Sequence, residues 1–304
     1  MSVSSELLAF HAQQTDKARQ LYVAELSPER DAEDWRLALR EARKLIADAL
    51  RDSKCLADVA AALQFNGQHM LVFRSITAPP ISQDQFKLAC SPWSKASERK
   101  GGSCRPAAAA AAALELDRRR DSALTRWLDG SRKPTLPELK RLFASVAPLV
   151  ASQQVATVRR NRMAAVQEGA VIARLIEKGW TKVPSTQKLA GKGELPAKHF
   201  MHKARFATTT RPQEVDIACG LKGTVVLAME CKVTNDETNS VKRINDVLKK
   251  SSAWHDHWGS FVKTAALLQG VIKIEDVERL LEKKVNVFWS HDLESFEKWL
   301  DGKS

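Results

Sequence analysis

The sequence predicts an α/β fold: a mixed β-sheet flanked by helices, preceded by a mostly helical region. Three observations carry this. Apolar residues in the first half recur at spacings of three and four, the helical period. Past Gly179 the period shortens, and two β-rich runs, Val215 to Leu221 and Thr224 to Val233, stand either side of Lys222 and Gly223 as a hairpin. Helical and strand-like runs then alternate to Leu300, the order of a sheet sandwiched by helices.

Taken in order, Leu7, Leu8, Ala18, Leu21 and Leu26 belong to a first helical stretch that Pro28 breaks. Trp35, Leu39, Ala42, Ile46 and Leu50 mark a second. Pro79 and Pro80 end a helix or open a loop. Ser94 to Pro106 is polar, basic and glycine-containing, a loop or linker. The alanines from Ala107 to Ala113 start a helix expected to run towards Trp127, with Gly130 and Pro134 beyond it. Residues 136–149 form a short amphipathic helix, and 152–178 a long one with Gly179 as its C-cap. After the hairpin come a helix from about Asn239 to His257, a strand from Thr264 to Gln269 and a short helix from Ile274 to Glu282. A strand from Val285 to Trp289 and a helix from Asp292 to Leu300 close the chain. The organisation expected is a helical region, 1–150, and a sheet-bearing domain, 151–304.

Composition narrows the class. The chain has 304 residues, 44% of them hydrophobic and 28% charged, a globular balance. No apolar run approaches the roughly 20 residues of a membrane-spanning helix. The first ten residues lack the basic and apolar regions of a signal peptide. The five cysteines, Cys55, Cys90, Cys104, Cys219 and Cys231, are scattered and form no CxxC pair, which argues against a zinc finger or disulfide framework. A cytoplasmic home is expected. No phosphate-binding P-loop or dinucleotide glycine pattern is present. His255 and His257 lack a third close ligand for zinc.

Net charge is +12, and its position matters more than its sum. Residues 1–94 carry 11 basic and 12 acidic side chains, and residues 214–304 carry 13 and 15. The excess lies between: 12 against 6 over 95–158, and 12 against 3 over 159–213. A basic belt of this kind suits a phosphate backbone. It is expected to line the cleft holding the acidic residues described next. The bland alternative is a set of solvated helix faces.

Those residues are Asp216, Glu230 and Lys232. Glu230 and Lys232 end an otherwise apolar strand and, being two apart, share one face. Buried strands normally exclude charge, because an unpaired buried ion costs several kcal/mol. If the hairpin loop is Leu221 to Gly223, Gly220 faces Thr224 and Asp216 faces Ala228, so Glu230 is the diagonal same-face neighbour of Asp216. Two hard carboxylates with water and a phosphate oxygen suit Mg²⁺. A lysine beside them can orient or deprotonate an attacking water and stabilise charge on phosphorus.

Asp216 followed across a hairpin by Glu230-x-Lys232 resembles the PD-(D/E)xK nuclease site. The order of helix, two hairpin strands, helix and strand around it is similar to that superfamily's core. The run from Glu230 to Asn245 (ECKVTNDETNSVKRIN), with Phe288 to Leu293 (FWSHDL), resembles the XamI-type restriction endonucleases, best over residues 150–304. Val215 stands where the name-giving proline would, which removes no ligand. The resemblance implies a restriction-endonuclease-like core and a type II restriction endonuclease acting on double-stranded DNA with Mg²⁺. Asp216 and Glu230 would be metal ligands and Lys232 would assist the water. Cutting two strands implies a homodimer, with the helical region supplying target recognition, dimer contacts or both.

The remaining candidates are weaker. Glu168 shares a helix face with Ile172 and Leu175, near the site or at the rim of the core; a helix glutamate joins the site in many nucleases of the superfamily. Glu214 shares the strand face of Asp216 but reads more naturally as solvated. Asn239 or Ser240 can cap the next helix, and Lys242 and Arg243 in its first turns can reach a phosphate. Arg159, Arg160, Arg162 and the Lys188–Arg211 loop are candidate DNA-backbone contacts. Competing readings are a repair nuclease or junction resolvase on the same core, a non-catalytic DNA-binding protein, and an interaction module without a nucleic-acid role.

Overall fold

The apolar spacings at the start of the chain fold as helices with identifiable ends. Helix α1 (Ser5–Ala24) is capped by Ser4, whose side chain accepts from the Leu7 amide. Helix α2 (Pro28–Asp52) begins on a proline that has no amide hydrogen to leave unpaired. It buries a single stripe, Ala38, Ala42, Ile46, Ala49 and Leu50. Helices α3 (Val59–Phe65), α4 (His69–Ser75) and α5 (Gln83–Ala89) follow. The alanine run opens α6 (Pro106–Arg119), which stops short of Trp127. There Arg120 binds Asp117, Thr125 and Asp129, and Asp121 accepts the amides of Ala123 and Leu124. These side-chain bonds compete with a continuing helix, and α7 (Arg126–Asp129) is a separate turn.

Helix α8 (Leu136–Glu177) is a single 42-residue helix where two were expected. Pro148 inside it removes one donor, but Val146, Ala147, Val150 and Ala151 are buried around that point. Their burial outweighs the missing bond. Gly179 turns the chain at φ +77°, a conformation glycine adopts without a side-chain clash, and the Trp180 amide donates to the Leu175 carbonyl.

The computed structural model describes residues 3–185 and 188–303. The chain forms two compact units, Pro28–Val158 and Met1–Ser27 with Arg159–Ser304. The first unit is helical around one core that includes Ile46, Leu63, Phe73, Trp93, Trp127 and Leu142. Within it the buried Arg74 guanidinium holds Glu98 at 2.5 and 3.3 Å. The second unit holds the sheet, and α1 packs there rather than with the helical region. Ala18 joins Ala266, Leu268 and Val287, and Trp289 Nε1 donates to His11 Nδ1 at 3.1 Å.

The strands are β1 (Thr181–Lys182), β2 (Lys188–Leu189), β3 (His199–Phe206), β4 (Gln213–Gly220), β5 (Val226–Thr234), β6 (Val262–Gly270) and β7 (Val285–Trp289). The sheet order is β1-β3-β4-β5-β6-β7, with β2 also paired to β3. Strands β3, β4 and β5 run antiparallel in turn, while β5, β6 and β7 are parallel, so the sheet is mixed as the sequence implies. The parallel strands are linked by α9 (Glu237–Trp258) and α10 (Ile274–Glu282), and α11 (Leu293–Asp301) follows β7.

Two expectations are corrected here. The Lys188–Arg211 stretch is not simply a loop, because it contains β3. That strand buries Phe200 into one face of the sheet and Met201, Ala204 and Phe206 into the other, so it shows no clean alternation. The hairpin loop is also longer than three residues. The observed register pairs Gly220 with Val226 and Ala218 with Ala228, around a 3-10 turn at Lys222–Thr224. The shift from the expected register is two residues, so every side chain keeps its face.

Helices cover both faces of the sheet. Val171 and Leu175 of α8 and Phe296 and Leu300 of α11 pack on Phe200, Ile217, Leu227, Met229 and Leu267. On the other face Trp254 and Trp258 of α9 meet Phe206 and Ala228, while Ile244 and Val247 meet Ala266 and Leu268. Each fully buried large side chain contributes about 1.5–3 kcal/mol by leaving water. Trp258 Nε1 also donates to the Ala207 carbonyl at 3.0 Å, fixing the end of β3 to α9.

Candidate active site

Asp216 and Glu230 stand one residue beyond the last paired residues of the hairpin, Ile217 and Met229. They therefore face each other across β4 and β5, closer than the diagonal relation expected. Glu230 is fully buried, with Ala266 as its neighbour on β6; Asp216 and Lys232 are both 7% exposed. A charged row inside a sheet survives only if it is paired, and this one is.

Lys232 Nζ donates to Glu230 Oε2 at 2.6 Å and lies 3.8 Å from Asp216 Oδ2. Glu230 Oε2 also accepts from Lys250 Nζ of α9 at 2.8 Å. Lys250 donates further to the Glu214 carbonyl at 3.0 Å, while the Glu214 residue itself is exposed. Asp216 Oδ2 accepts from the Cys231 amide at 2.8 Å, and its Oδ1 accepts from Lys203 Nζ of β3 at 2.6 Å. Lys203 donates again, to Glu168 Oε1 at 2.7 Å, and His202 Nε2 meets Glu168 Oε2 at 2.6 Å. Glu168 is thus joined to Asp216 through the Lys203 ammonium. Asp246 of α9 completes the group, 3.7 Å from Lys232 Nζ.

These surroundings push the two carboxyls apart. Burial raises Asp216, but the Lys232 charge, the Lys203 bond and the Cys231 amide outweigh it and hold the carboxyl below its ordinary value. For Glu230 burial dominates and holds the carboxyl above its ordinary value, against the pull of Lys232 and Lys250. Burial disfavours the Lys232 ammonium, yet Glu230 and Asp216 more than offset it and keep the amine protonated. Opposed shifts in neighbouring buried acids are an arrangement that active sites use to keep two carboxyls in different roles. Burial likewise raises the Cys231 thiol far above its ordinary value, which removes it as a nucleophile.

The donor set suits a hard divalent cation. Glu230 Oε1 is buried and has no hydrogen-bond partner, an orphan that an ion would satisfy. Among the described residues no three His, Cys, Asp or Glu side chains are grouped to hold a metal alone. An ion here would draw its remaining ligands from water and a phosphate.

The other candidates fall outside this group. Arg159, Arg160 and Arg162 lie on α8 before Glu168, with Arg160 and Arg162 exposed. Lys242 is exposed and Arg243 half-buried on α9. That helix is capped by Asp236, which accepts the Asn239 amide at 2.7 Å, and not by Asn239 or Ser240. Ser240 is buried on Asp276 instead, at 2.8 Å. His255 lies 3.4 Å from Thr264 Oγ1 and belongs to the core side of α9. Sequence reasoning missed Lys203, His202, Lys250 and Asp246. Lys203 and His202 lay within the Lys188–Arg211 stretch, expected only as a DNA-contacting loop, and the burial of β3 on both faces leaves no alternation to mark them.

Comparison with known proteins bears on this geometry. A family model described as XamI restriction endonuclease matches residues 54–289. The Type II restriction enzyme XamI of Xanthomonas campestris pv. amaranthicola is 31% identical over 136 residues, 44% of this chain and 48% of that enzyme. The match therefore spans about half the length of that curated relative. A crystal structure of protein VC1899 from Vibrio cholerae is similar at a TM-score of 0.32 and 10% identity, over 91% of this chain and 57% of the other. That likeness is too slight to bear on fold or chemistry.

Proposed function

We propose, given that the chain belongs to the XamI restriction endonuclease family, that it is a type II restriction endonuclease. It would hydrolyse phosphodiester bonds in double-stranded DNA at a specific sequence, with Mg²⁺ as its cation, in the cytoplasm. The observation that carries this reading is a fully buried glutamate facing an aspartate across a hairpin, with one carboxylate oxygen unpartnered and a lysine 2.6 Å from the other. No helix among the described residues is long and apolar enough to cross a membrane.

Asp216 and Glu230 would hold the cation. Bound there, it would supply Lewis-acid charge to the scissile phosphate and lower the pKa of water. The protein's own residues do the rest. The hairpin fixes both carboxylates on one sheet face, and the Cys231 amide orients Asp216. Lys232 is held as an ammonium, which suits it to donate to a phosphate oxygen and stabilise negative charge in the transition state rather than to take a proton from water. Glu168, joined to Asp216 through Lys203 while no cation is bound, would serve as a supporting acid. Arg159, Arg160, Arg162, Lys242 and Arg243 would hold DNA phosphates, a sequence-independent contribution. The helical region would supply target recognition or dimer contacts, and two sites in a homodimer would cut the two strands.

The test is incubation with long DNA of mixed sequence, with and without Mg²⁺, beside Asp216→Ala and Lys232→Ala. Discrete fragments that require Mg²⁺ and vanish in both variants are expected. Binding without cutting overturns the enzymatic reading, and cutting confined to branched DNA points to a junction resolvase.

A further inference from the structure

The Lys203 side chain has a backbone cause. In a regular strand, neighbours such as His202 and Lys203 point to opposite faces. Here both reach the Glu168 carboxylate, at 2.6 and 2.7 Å. They can because Lys203 adopts φ +59° in mid-strand, the left-handed region that costs a non-glycine residue strain and clusters at functional sites. The result is an ammonium between Glu168 Oε1 and Asp216 Oδ1, at 2.7 and 2.6 Å. This is the geometry in which one cation bridges two carboxylates. The ammonium is not sealed in, since the Lys203 side chain is 39% exposed while both acids are about 90% buried.

We propose that Lys203 is a resident placeholder for the divalent cation: its ammonium occupies the Asp216 side of the site, holds the two acids in place, and must withdraw when the ion enters. The inference rests on the proposed metal-binding role of Asp216 and deepens it. A neutral group at position 203 leaves the acids uncompensated and removes a like charge from the path of the ion. The affinity for the cation should then rise. A merely structural Lys203 predicts the reverse, because its loss would disorganise Asp216 and weaken binding.

The experiment is titration of the full chain with Mn²⁺ alone, followed calorimetrically, for the wild type, Lys203→Met, Lys203→Gln, Lys203→Arg and Asp216→Asn. The neutral variants are expected to bind Mn²⁺ at least about tenfold more tightly, Lys203→Arg to stay near the wild type, and Asp216→Asn to lose binding. A second readout uses the unmodified protein: acetylation of Lys203 by a small anhydride, measured by mass spectrometry, should increase when Mn²⁺ is added. Equal or weaker Mn²⁺ affinity in the neutral variants, or Lys203 labelling that does not rise, overturns the placeholder. If the wild type binds no Mn²⁺, or Asp216→Asn binds as well as the wild type, the metal-binding reading fails and the placeholder with it.

Discussion

Lys232→Met tests what holds two carboxylates inside this sheet. The substitution keeps the length and apolar stem but removes the ammonium 2.6 Å from Glu230 and 3.8 Å from Asp216. Removing one member of a buried ion pair typically costs about 3–5 kcal/mol. Lys250 still binds Glu230 at 2.8 Å and Lys203 still binds Asp216 at 2.6 Å, so the loss falls at or just below the low end of that range, about 2–3 kcal/mol. For a unit of this size that is a fall of roughly 5–10 °C in Tm. The sign with pH follows from the shifts. The raised Lys232 value means its contribution is fully present below the pKa of an unfolded lysine and is lost only as pH rises through the higher folded value. Glu230, raised by burial, costs stability while ionised and is relieved as pH falls through its folded value. Without Lys232 the Glu230 carboxyl rises further, so the deficit should shrink from pH 8 to pH 5. Pairing it with Glu230→Gln should restore most of the loss by removing the orphaned charge. Thermal melts by circular dichroism at the two pH values measure all three effects. A single variant as stable as the wild type at pH 8, or a deficit that grows on acidification, refutes the account of the buried row.

Other outcomes follow from the same structure. Arg74→Ala leaves the buried Glu98 carboxylate unpaired and should cost about 3–5 kcal/mol, read from urea unfolding of the helical unit. Burial raises Asp52, but its bonds to His69 and Arg51 outweigh it and depress the carboxyl; that stability is present above the pKa of an unfolded aspartate and fades as pH falls through the folded value. Asp52→Asn should therefore cost stability near pH 6, and its difference from the wild type should shrink as pH falls below the ordinary aspartate range, checked by denaturant midpoints. Arg160→Ala and Lys242→Ala should each weaken DNA binding alike for all sequences and lower the salt slope by about one, measured by fluorescence anisotropy across salt concentrations.

Much of the sheet half was legible because its signals are local. The apolar run ending in Glu230 and Lys232, the glycine turn before it and the regular alternation after it specify β4 to α11 almost without tertiary information. Glu230 and Lys232 stood out for the same reason, since two charges on one face of a buried strand need partners. What escaped depends on contacts between distant segments. Strand β3 is buried on both faces and carries His202 and Lys203, so neither alternation nor composition marks it. Lys250 lies on α9, twenty residues after Glu230 in the chain, and only the packing of α9 on the sheet brings it there. The hairpin register hung on loop length, and a five-residue connection moved Asp216 from the diagonal of Glu230 to directly across from it. α1 shows the limit of reading by region: its sequence matches the helical half, yet His11 and Ala18 are buried against the sheet unit.

Asp216, Glu230 and Lys232 are proposed to form a hydrolytic centre for DNA. Its most direct measurement compares cutting and binding in Glu230→Gln, which removes one charge and keeps the shape. With Mg²⁺ and long mixed-sequence DNA, the wild type should give a fixed set of fragments. Glu230→Gln should give none while retaining its fold by circular dichroism and its affinity for the same DNA. A Glu230→Gln protein that cuts to the same fragments at a comparable rate would contradict the account.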